Sequence, residues 1–363
     1  MRRDDLPTPA LVLDLPAMRR NVGRMAAHAA STGVGLRPHA KSHKCVEIAR
    51  LLAREGGALG PACATIREAE AMAVGGIAGI LVTSPMATAD MLARVARLLA
   101  RGADLSLTAD DPANVAGLAS AARAAGRRLP VLVELDMGQG RTGCADAASA
   151  VALARAVAAE PSLAFTGVQA YWGHLQQVQP LEERARRVAE GKTRLGAALS
   201  ALREAGLPAT IVTGGGTGTS LIDSAGGGPF TELQPGSFLF LDSCYGPLPL
   251  GPEGNPFEPA LFVRASVVSR IHPGRAVVNA GFKALATDSG HPVPLRGAPE
   301  DSTYRFMGDE HGAVEFEAGE APPLGAGIEL LTSHCDPTVN LYDRYAVVDG
   351  EEVIDFWPIA RGF

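Results

Sequence analysis

A cluster of two lysines and two histidines at residues 37–44 follows directly after a short apolar run. The run includes Val34 and Leu36 and predicts a buried strand, with Lys41 just beyond its end. A lysine at such a position loses hydration, which lowers the pKa of its amine and makes the amine a usable nucleophile. Lysines of this kind hold pyridoxal 5'-phosphate (PLP) as a Schiff base. A surface loop of mixed charge is the alternative interpretation.

A glycine-rich segment at residues 213–220 has the composition of an anion-binding turn. Glycine permits positive φ and close approach, so that backbone N–H groups can converge on a phosphate. A following helix would present its positive end, and Thr217 and Thr219 would add hydroxyl donors. The alternating glycines could instead form a dinucleotide-binding fingerprint, but no acidic residue ends a strand about 20 residues further on. A flexible loop is the other alternative.

Two more polar clusters contain candidate ligands for a cofactor ring. Arg141 lies between glycines, and its guanidinium could stabilise a phenolate oxygen such as that of PLP. It could equally cap the following helix or pair with Asp136. Tyr171 precedes Trp172 and His174, and it could donate a hydrogen bond to a ring nitrogen or pack on the cofactor. A lone aromatic residue is, however, more often part of the core.

A second chemical centre is predicted far along the chain, at His334 and Asp336. In an extended strand these two side chains would project to the same face, while Cys335 would point away. Pro337 favours extended geometry at the residue before it. Imidazole and carboxylate, completed by water, suit Mn²⁺ or a similar ion, whereas thiolate would select zinc. The alternative is an ordinary loop pair of His and Asp, and residues 309–312 could line the same cleft or form an exposed turn.

The elements that must position these residues form a repeating pattern of apolar runs and helical segments. A strand at 10–14 precedes a helix at 15–31, and eight apolar runs then lie near residues 34–40, 60–65, 79–84, 104–108, 130–136, 164–171, 209–213 and 236–241. Helical segments separate them near 44–56, 66–75, 88–101, 111–126, 145–159, 178–206 and 217–224. This arithmetic predicts an α/β protein with a (β/α)8 TIM-type barrel, whose active site lies at the C-terminal ends of the strands. A doubly wound sheet is the competing fold.

After about residue 248, prolines and glycines become frequent and the helical pattern ends. Strand-like runs at 261–268, 275–279, 328–332 and 344–348 predict a β-rich unit. We therefore expect a PLP-binding barrel over residues 14–248. Residues 1–13 and 249–363 would form a β-rich domain that carries the metal site.

Composition excludes several classes of protein. The 363 residues carry a net charge of -6, which gives no basic surface for nucleic acid. No apolar run is long enough for a membrane span, and the first residues lack the apolar stretch of a signal peptide. Five scattered cysteines, an odd number, predict reduced thiols and a cytoplasmic protein.

Many motifs, in order along nearly the whole chain, resemble one family. It is the D-threonine aldolase and D-serine dehydratase family of fold-type III, alanine racemase-like PLP enzymes, and the likeness is greatest to D-threonine aldolase. The motifs are Leu6-Pro7-Thr8-Pro9, Arg37-Pro38-His39-Ala40-Lys41-Ser42-His43-Lys44, Gly140-Arg141-Thr142-Gly143, Thr213-Gly214-Gly215-Gly216-Thr217, Glu232-Leu233-Gln234-Pro235-Gly236, Asn279-Ala280-Gly281-Phe282-Lys283-Ala284-Leu285, Glu310-His311-Gly312 and His334-Cys335-Asp336-Pro337-Thr338.

The resemblance implies a barrel with a C-terminal β domain, and homodimers whose active sites lie at the subunit interface. It assigns the Schiff base to Lys41 rather than Lys44 and assigns contacts with the PLP ring to Arg141 and Tyr171. The phosphate-binding turn would include Thr213, Gly215, Gly216 and Thr217.

The residue two after His334 distinguishes the branches of the family. In the dehydratase branch a cysteine at that position binds zinc together with the histidine, whereas here the residue is Asp336. This chain therefore resembles the aldolase branch, which uses a divalent ion such as Mn²⁺ or Mg²⁺. Asn279 departs from the family pattern, because an aspartate is expected before the Ala-Gly turn.

The function implied is a metal-assisted retro-aldol cleavage of D-β-hydroxy-α-amino acids of the D-threonine type to glycine and an aldehyde. His174 or a metal-bound water is the candidate base. A D-serine or D-3-hydroxy amino acid dehydratase is the nearest alternative. Racemisation and a non-catalytic PLP carrier are the others.

Overall fold

The first unit of the structure is a curled, TIM-like layer of parallel strands with helices around it. The computed structural model of the protein describes residues 1–361. Strands β1 to β9 are Ala10–Asp14, Gly35–Leu36, Ala62–Cys63, Ile80–Val82, Leu105–Ala109, Leu129–Asp136, Leu163–Tyr171, Ile211–Gly214 and Glu232–Leu233. Strands β2 to β9 form a sheet in the order β2-β9-β8-β7-β6-β5-β4-β3, and a parallel bridge between His39 and Ala62 connects its two ends.

The helices of this unit alternate with the strands, and five of the eight begin at a polar residue whose side chain caps the helix. Helices α1 to α8 are Leu15–Thr32, Val46–Glu55, Ile66–Val74, Ala89–Ala100, Pro112–Ala125, Ala147–Ala159, Leu181–Glu204 and Ser220–Asp223. Short 3-10 helices are Arg3–Asp5, Ala40–Ser42, Gly173–Leu175 and Ser237–Leu239. Asp14, Thr65, Thr88, Asp111 and Asp146 each accept a hydrogen bond from a backbone N–H of the first turn that follows. Such caps satisfy N–H groups that have no partner within the helix.

The second unit is β-rich and includes the first strand of the chain. Strands β10 to β17 are Leu261–His272, Arg275–Val278, Val293–Arg296, Thr303–Phe306, Gly312–Glu315, Gly327–Leu331, Arg344–Asp349 and Glu352–Pro358, and helix α9 is Cys335–Val339. The sheet order is β13-β14-β11-β10-β1-β16-β17, with β15 pairing β10 and β12. Strand β1 pairs antiparallel with β10 and parallel with β16, so it lies between two strands that come some 250 to 330 residues later.

The predicted fold class is confirmed, and two of its elements differ from the prediction. The eighth barrel strand is Glu232–Leu233 and not the apolar run at 236–241, where Ser237–Leu239 forms a 3-10 helix. Phe238, Leu239 and Phe240 are buried. A short run of buried apolar residues therefore has the sequence pattern of a strand even when its residues form a turn. The helix expected at 217–224 shortens to Ser220–Asp223. The strands β12, β13, β14 and β17 were not predicted.

The N-terminal segment is attached to the second unit by buried charges. The side chains of Arg3 and Glu329 are both 2% exposed, and Arg3 Nε lies 2.5 Å from Glu329 Oε1. Arg264 contacts the same carboxylate at 3.4 Å. The five cysteines are free thiols. Within residues 1–361, no helix has the length and apolar character needed to cross a membrane. The domain boundaries at 14 and 248 stay a prediction.

Candidate active site

Lys41 lies on the 3-10 helix Ala40–Ser42, just beyond β2, and its amine faces helix α9 of the second unit. The Nζ atom is 2.5 Å from Asp336 Oδ2. Burial lowers the pKa of the Lys41 amine, but the charge of Asp336 and the hydrogen bond to it outweigh that effect, so the pKa lies above its ordinary value. The lowered pKa expected from the sequence is therefore wrong, because the prediction left out this carboxylate.

Asp336 occupies the first turn of α9, and this geometry differs from the predicted strand. His334 is extended (φ -143°, ψ 120°) at the N-cap position, where its side chain makes no capping hydrogen bond, whereas Asp336 is helical. The idea that the two side chains share one face of a strand is wrong, since a turn of helix begins between them. Burial raises the pKa of Asp336, but Lys41 outweighs burial and holds the pKa below its usual value. The second oxygen, Oδ1, is buried and makes no hydrogen bond within the described part of the chain.

His334 and Asp336 nevertheless line one cavity, which we call the side cavity. It measures about 690 Å³ and also contains Asp288. His334 Nδ1 lies 2.6 Å from Asp288 Oδ2. Burial raises the pKa of Asp288, but the hydrogen bonds with His334 and Ser289 and the charge of His334 together hold the pKa below its ordinary value. Among residues 1–361, no group of three or more His, Cys, Asp or Glu side chains is arranged to bind a metal. A metal at this site would therefore have few protein ligands and would keep water in its coordination shell.

A second cavity lies at the C-terminal ends of the barrel strands and measures about 250 Å³. We call it the cofactor cavity because its lining includes residues that were predicted to bind PLP. Polar side chains from many strands converge on it. Its polar lining comprises His39, Lys41, Thr83, Ser84, Gln139, Arg141, Gln169, Tyr171, Thr217, Gln234, Ser237, Tyr245 and Asp336. Three residues, Lys41, Ala64 and Asp336, line both cavities. The two predicted centres thus meet at the contact between Lys41 and Asp336.

Arg141 and Tyr171 lie together on one wall of the cofactor cavity. The Arg141 guanidinium carbon is 5.6 Å from the centre of the Tyr171 ring. Asp136 shapes the loop before Arg141, because its Oδ1 accepts hydrogen bonds from the backbone N–H groups of Gly138, Gln139 and Gly140. Burial raises the pKa of Tyr171 above its ordinary value, although Lys41 and Arg141 oppose the effect.

Only part of the glycine-rich turn lines the cofactor cavity. Gly216 and Thr217 line the cavity, whereas Thr219 turns away and donates to Asp223 Oδ2 at 2.5 Å. Gly215 has φ +67°, a conformation that favours glycine. Thr213 Oγ1 accepts a hydrogen bond from Gln234, whose side chain lines the cavity. The expected hydroxyl donation by Thr219 to a phosphate is therefore wrong.

Burial raises the pKa of Asp223, beneath the turn, to about 7, although hydrogen bonds from Thr219 and Trp172 oppose the shift. The carboxylate sits directly behind the backbone of Gly215, where a Cβ atom would lie 2.5 Å from Asp223 Oδ2. A side chain at position 215 would displace this group. Glycine is therefore needed here for space as well as for conformation.

His174 is not brought into the cofactor cavity. His174 is exposed overall, and its imidazole lies against Gly138. Partial burial of the imidazole lowers its pKa, although the charge of Asp136 opposes this effect. Asn279 has a structural role: its Oδ1 accepts from the Ser266 N–H, and its Nδ2 donates to Thr8. Glu310 pairs with Lys283 at the surface.

Several residues that shape the site were not singled out from the sequence. Asp242 is buried and accepts hydrogen bonds from the backbone N–H groups of Cys335 and Tyr245, so it fixes the start of α9. Burial raises the pKa of Asp242. Gln169 lines the cavity from within β7, and Gln234 from just after β9. Polar residues in otherwise apolar strands were the available signal for Gln169.

Two known domain families match this chain, one over the barrel unit and the other over the β-rich unit. The alanine racemase N-terminal domain matches residues 13–244, and a putative serine dehydratase domain matches residues 260–348. The chain belongs to the D-threonine aldolase and D-serine dehydratase family of fold-type III, alanine racemase-like PLP enzymes. The resemblance inferred from the motifs is thereby confirmed.

Within this family the chain is similar to aldolases along its whole length. It is 42% identical to a D-threonine aldolase of an Arthrobacter species, over 98% of this chain and 93% of the relative. It is 38% identical to a 3-hydroxy-D-aspartate aldolase of Paracoccus denitrificans (strain Pd 1222), over 100% of this chain and 94% of that protein. The crystal structure of D-threonine aldolase from Filomicrobium marinum superposes with a TM-score of 0.94 at 40% identity, covering 99% of this chain and 97% of that one.

A dehydratase is a more distant relative. The chain is 29% identical to D-threo-3-hydroxyaspartate dehydratase from a Delftia species (strain HT23), over 99% of this chain and 98% of that protein. The similarity to aldolases is thus greater at equal coverage. The chain is a lyase of this family.

Proposed function

We propose that the protein is a PLP- and divalent-metal-dependent aldolase. It would cleave D-β-hydroxy-α-amino acids of the D-threonine type to glycine and an aldehyde. The observation that carries this proposal is the 2.5 Å contact between the Lys41 amine and Asp336, which joins the predicted cofactor and metal centres. The identity of 38–42% to two aldolases along the whole chain supports it.

The residues around the cofactor cavity fit PLP. The Lys41 amine would hold the cofactor as a Schiff base, and Arg141 and Tyr171 would contact its ring. Gly215, Gly216 and Thr217 would bind the phosphate, with Thr213 holding Gln234 in place behind them. The fit rests on a cavity in which an amine, a guanidinium and a glycine turn converge. When bound, PLP supplies an electron sink for the electron pair left at Cα.

His334 and Asp336 would hold the divalent ion, and we propose Mn²⁺ or a similar ion such as Mg²⁺. The buried Asp336 Oδ1, which makes no hydrogen bond within the described residues, fits a ligand to a cation. Imidazole, carboxylate and water are a donor set that suits such ions. When bound, the ion supplies a Lewis acid that lowers the pKa of the substrate β-hydroxyl.

The remaining task of the chain is to move two protons. The β-hydroxyl loses a proton, the Cα–Cβ bond breaks, the aldehyde leaves, and Cα gains a proton to give glycine. We propose His174 as the acceptor of the hydroxyl proton. Its lowered pKa keeps the imidazole neutral at neutral pH, as a base requires. Because the imidazole lies outside the cavity, this role requires a change of side-chain torsion when substrate binds.

Dehydration is the alternative on the same scaffold. Cys335 argues against the zinc site of the dehydratase branch, because the residue is fully buried and its thiol lies 3.6 Å from the Thr332 hydroxyl. Burial holds the pKa of this thiol well above its usual value, so no thiolate is offered to a metal. The position two after His334 carries a carboxylate instead.

We further propose a homodimer with active sites at its interface and a cytoplasmic location. The first follows from the family resemblance, and light scattering on the purified protein tests it. Five free cysteines support the second.

The products formed from D-threonine test the proposed function. Purified protein loaded with PLP and Mn²⁺ should release acetaldehyde and glycine, and EDTA should abolish the reaction. Formation of 2-oxobutyrate and ammonia would identify a dehydratase instead. Racemisation without sensitivity to EDTA would identify a racemase. Absence of turnover on any β-hydroxy amino acid would favour a PLP carrier.

A further inference from the structure

The glycine-rich turn after β8 is held by a buried glutamine, Gln176, which follows the 3-10 helix Gly173–Leu175. Gln176 is only 3% exposed. Its Oε1 accepts a hydrogen bond from the Gly218 N–H at 2.9 Å, and its Nε2 donates to Thr219 Oγ1 at 3.0 Å. A side-chain amide offers an acceptor and a donor in one group, and both are used here. Gln176 thus holds two successive residues of the turn.

The neighbouring hydrogen bonds determine which way the amide of Gln176 points. The Thr219 hydroxyl donates its proton to Asp223 Oδ2, so its oxygen accepts from Gln176 Nε2. The Gly218 N–H needs an acceptor, and Gln176 Oε1 provides it. An apolar side chain of the same length would satisfy neither group.

These bonds belong to a closed ring that joins the loop after β7 to the turn after β8. Trp172 Nε1 donates to Asp223 Oδ1 at 3.1 Å, and the Trp172 carbonyl accepts from Gln176 Nε2 at 3.4 Å. Trp172, Thr219 and Asp223 are all fully buried. Bonds in such a buried network strengthen one another, so the loss of one member weakens the rest. Trp172 also follows Tyr171, so the ring connects the predicted ring contact with the predicted phosphate turn.

The backbone of the turn lies directly against Gln176. A Cβ atom at Gly216 would be 2.6 Å from Gln176 Oε1, and a Cβ atom at Gly218 would overlap the backbone carbonyl of Gln176. Glycine therefore permits the close approach at both positions. Because no space separates them, the position of the turn depends on the side chain at residue 176.

The same turn presents Gly216 and Thr217 to the cofactor cavity. Thr217 Oγ1 accepts the Phe238 N–H at 3.0 Å, so the hydroxyl proton is available to donate to an anion in the cavity. Gly218, which Gln176 holds, is the next residue along the chain. The support by Gln176 thus lies one residue from the groups that would contact a phosphate.

We infer that Gln176 is a positioning residue for the cofactor phosphate, because it holds residues 215–219 in the geometry in which Gly216 and Thr217 can bind that group. The inference rests on the proposed binding of PLP and not on the reaction that follows. Precise placement of binding groups depends on the hydrogen bonds behind them. The loss of Gln176 should therefore weaken the binding of the phosphate more than the binding of the ring.

The test compares PLP with pyridoxal, which has the same ring and aldehyde but no phosphate. Absorbance titration of the cofactor-free protein gives the dissociation constant of each, for the wild type and for Gln176→Met. The wild type should bind PLP more tightly. The ratio of the Kd for pyridoxal to the Kd for PLP should fall about tenfold or more in Gln176→Met, because the hydrogen bonds to a charged group lose their alignment.

Gln177→Met is the matched control, because Gln177 is the next residue in the chain and is exposed. It should leave the ratio unchanged. A general loss of stability weakens the binding of PLP and pyridoxal alike, so it does not move the ratio either. Equal losses of affinity for the two compounds in Gln176→Met would therefore overturn the inference.

Thr219→Val tests the same ring with a smaller change and decides the matter if Gln176→Met does not fold. Valine keeps the shape of threonine but removes the hydroxyl between Gln176 and Asp223. The ratio should fall about threefold in this variant, and an unchanged ratio would contradict the inference.

Binding without turnover separates this inference from the proposed function. A protein whose ratio falls as expected, but which cleaves no β-hydroxy amino acid, would support the role of Gln176 and contradict the aldolase proposal. Equal affinity of the wild type for PLP and pyridoxal would overturn the inference, because the turn would then contribute nothing to phosphate binding.

Discussion

The contact between Lys41 and Asp336 sets the charge of the proposed nucleophile. The carboxylate keeps the pKa of the amine above its ordinary value, so the amine is protonated at neutral pH before cofactor binds. If Asp336 also binds the proposed divalent ion, that ion and the ammonium of Lys41 would compete for one buried carboxylate.

Replacing Asp336 by alanine should separate cofactor binding from turnover. We expect the visible absorbance of bound PLP to persist and kcat to fall by about 10²-fold or more, because the proposed metal ligand is lost. The absorbance spectrum and the D-threonine assay together check this. Lys41→Ala should instead remove the absorbance.

Asp343→Ala is the control for this pair of variants, because Asp343 is an exposed carboxylate that pairs with Arg361 at the surface. It should retain both absorbance and activity. Full activity of Asp336→Ala would show that the metal assignment is wrong.

The site residues that could be predicted from the sequence are those that belong to short motifs of neighbouring residues. Lys41, Arg141 and Gly216 belong to short motifs, and each lines the cofactor cavity. The raised pKa of Lys41 was missed because its cause lies 295 residues away in the chain. Asp242 was missed for the same reason, since its role is to accept the Cys335 N–H from a distant segment. Spacing within a motif does not report such contacts.

At the scale of elements, the turn after β2 is a buried polar structure that must hold Lys41. His43 is fully buried, its Nδ1 accepts the Cys45 N–H, and its backbone carbonyl accepts a hydrogen bond from Tyr345. Burial lowers the pKa of His43 to about 4. The imidazole in the folded protein therefore stays neutral well below the pH at which an unfolded chain takes up a proton.

This difference predicts a loss of stability in mild acid. Because the unfolded state binds a proton below about pH 6.5 and the folded state does so only below about pH 4, the free energy of unfolding falls across this interval. Between pH 6.5 and 4.5 the wild type should lose about 2 kcal/mol more than His43→Gln. Urea unfolding of both proteins at the two pH values measures it. Parallel losses in the two proteins would contradict the shift.

The element boundaries show what a hydrophobic pattern can and cannot specify. The long helices and the strands β6 and β7 agree with the prediction because their periodicity is sustained over many residues. The segment from His334 to Asp336 was predicted to be extended, since Pro337 favours that geometry in the residue before it, whereas the structure holds Asp336 in the first turn of helix α9. The Cys335 N–H bond to Asp242 and the contact of Asp336 with Lys41 stabilise this turn, and both are tertiary.

At the scale of the whole molecule, the buried carboxylate of Glu329 connects the N-terminal segment to the second unit. It contacts Arg3 at 2.5 Å and Arg264 at 3.4 Å. Glu329→Gln would remove the nearest counter-charge of Arg3, which would keep only Asp14 at 3.9 Å, whereas Arg264 would keep Asp4 at 2.6 Å. Removing one partner of such a buried pair costs about 3–5 kcal/mol.

We therefore expect Glu329→Gln to lower the free energy of unfolding by several kcal/mol, about 3–5, in a denaturant titration. Glu315→Gln is the matched control, because Glu315 pairs with Arg305 in an exposed position and should change stability by about 1 kcal/mol or less. Similar effects of the two substitutions would show that burial of the Glu329 pair adds nothing.

The position of β1 has a consequence for how the chain can be divided. Residues 10–14 fill the gap between β10 and β16, so a fragment that begins after the barrel would expose two unpaired strand edges. Dividing the chain at one position after the barrel therefore separates β1 from the sheet to which it belongs. During synthesis, β1 cannot complete its pairing until β10 and then β16 have emerged from the ribosome.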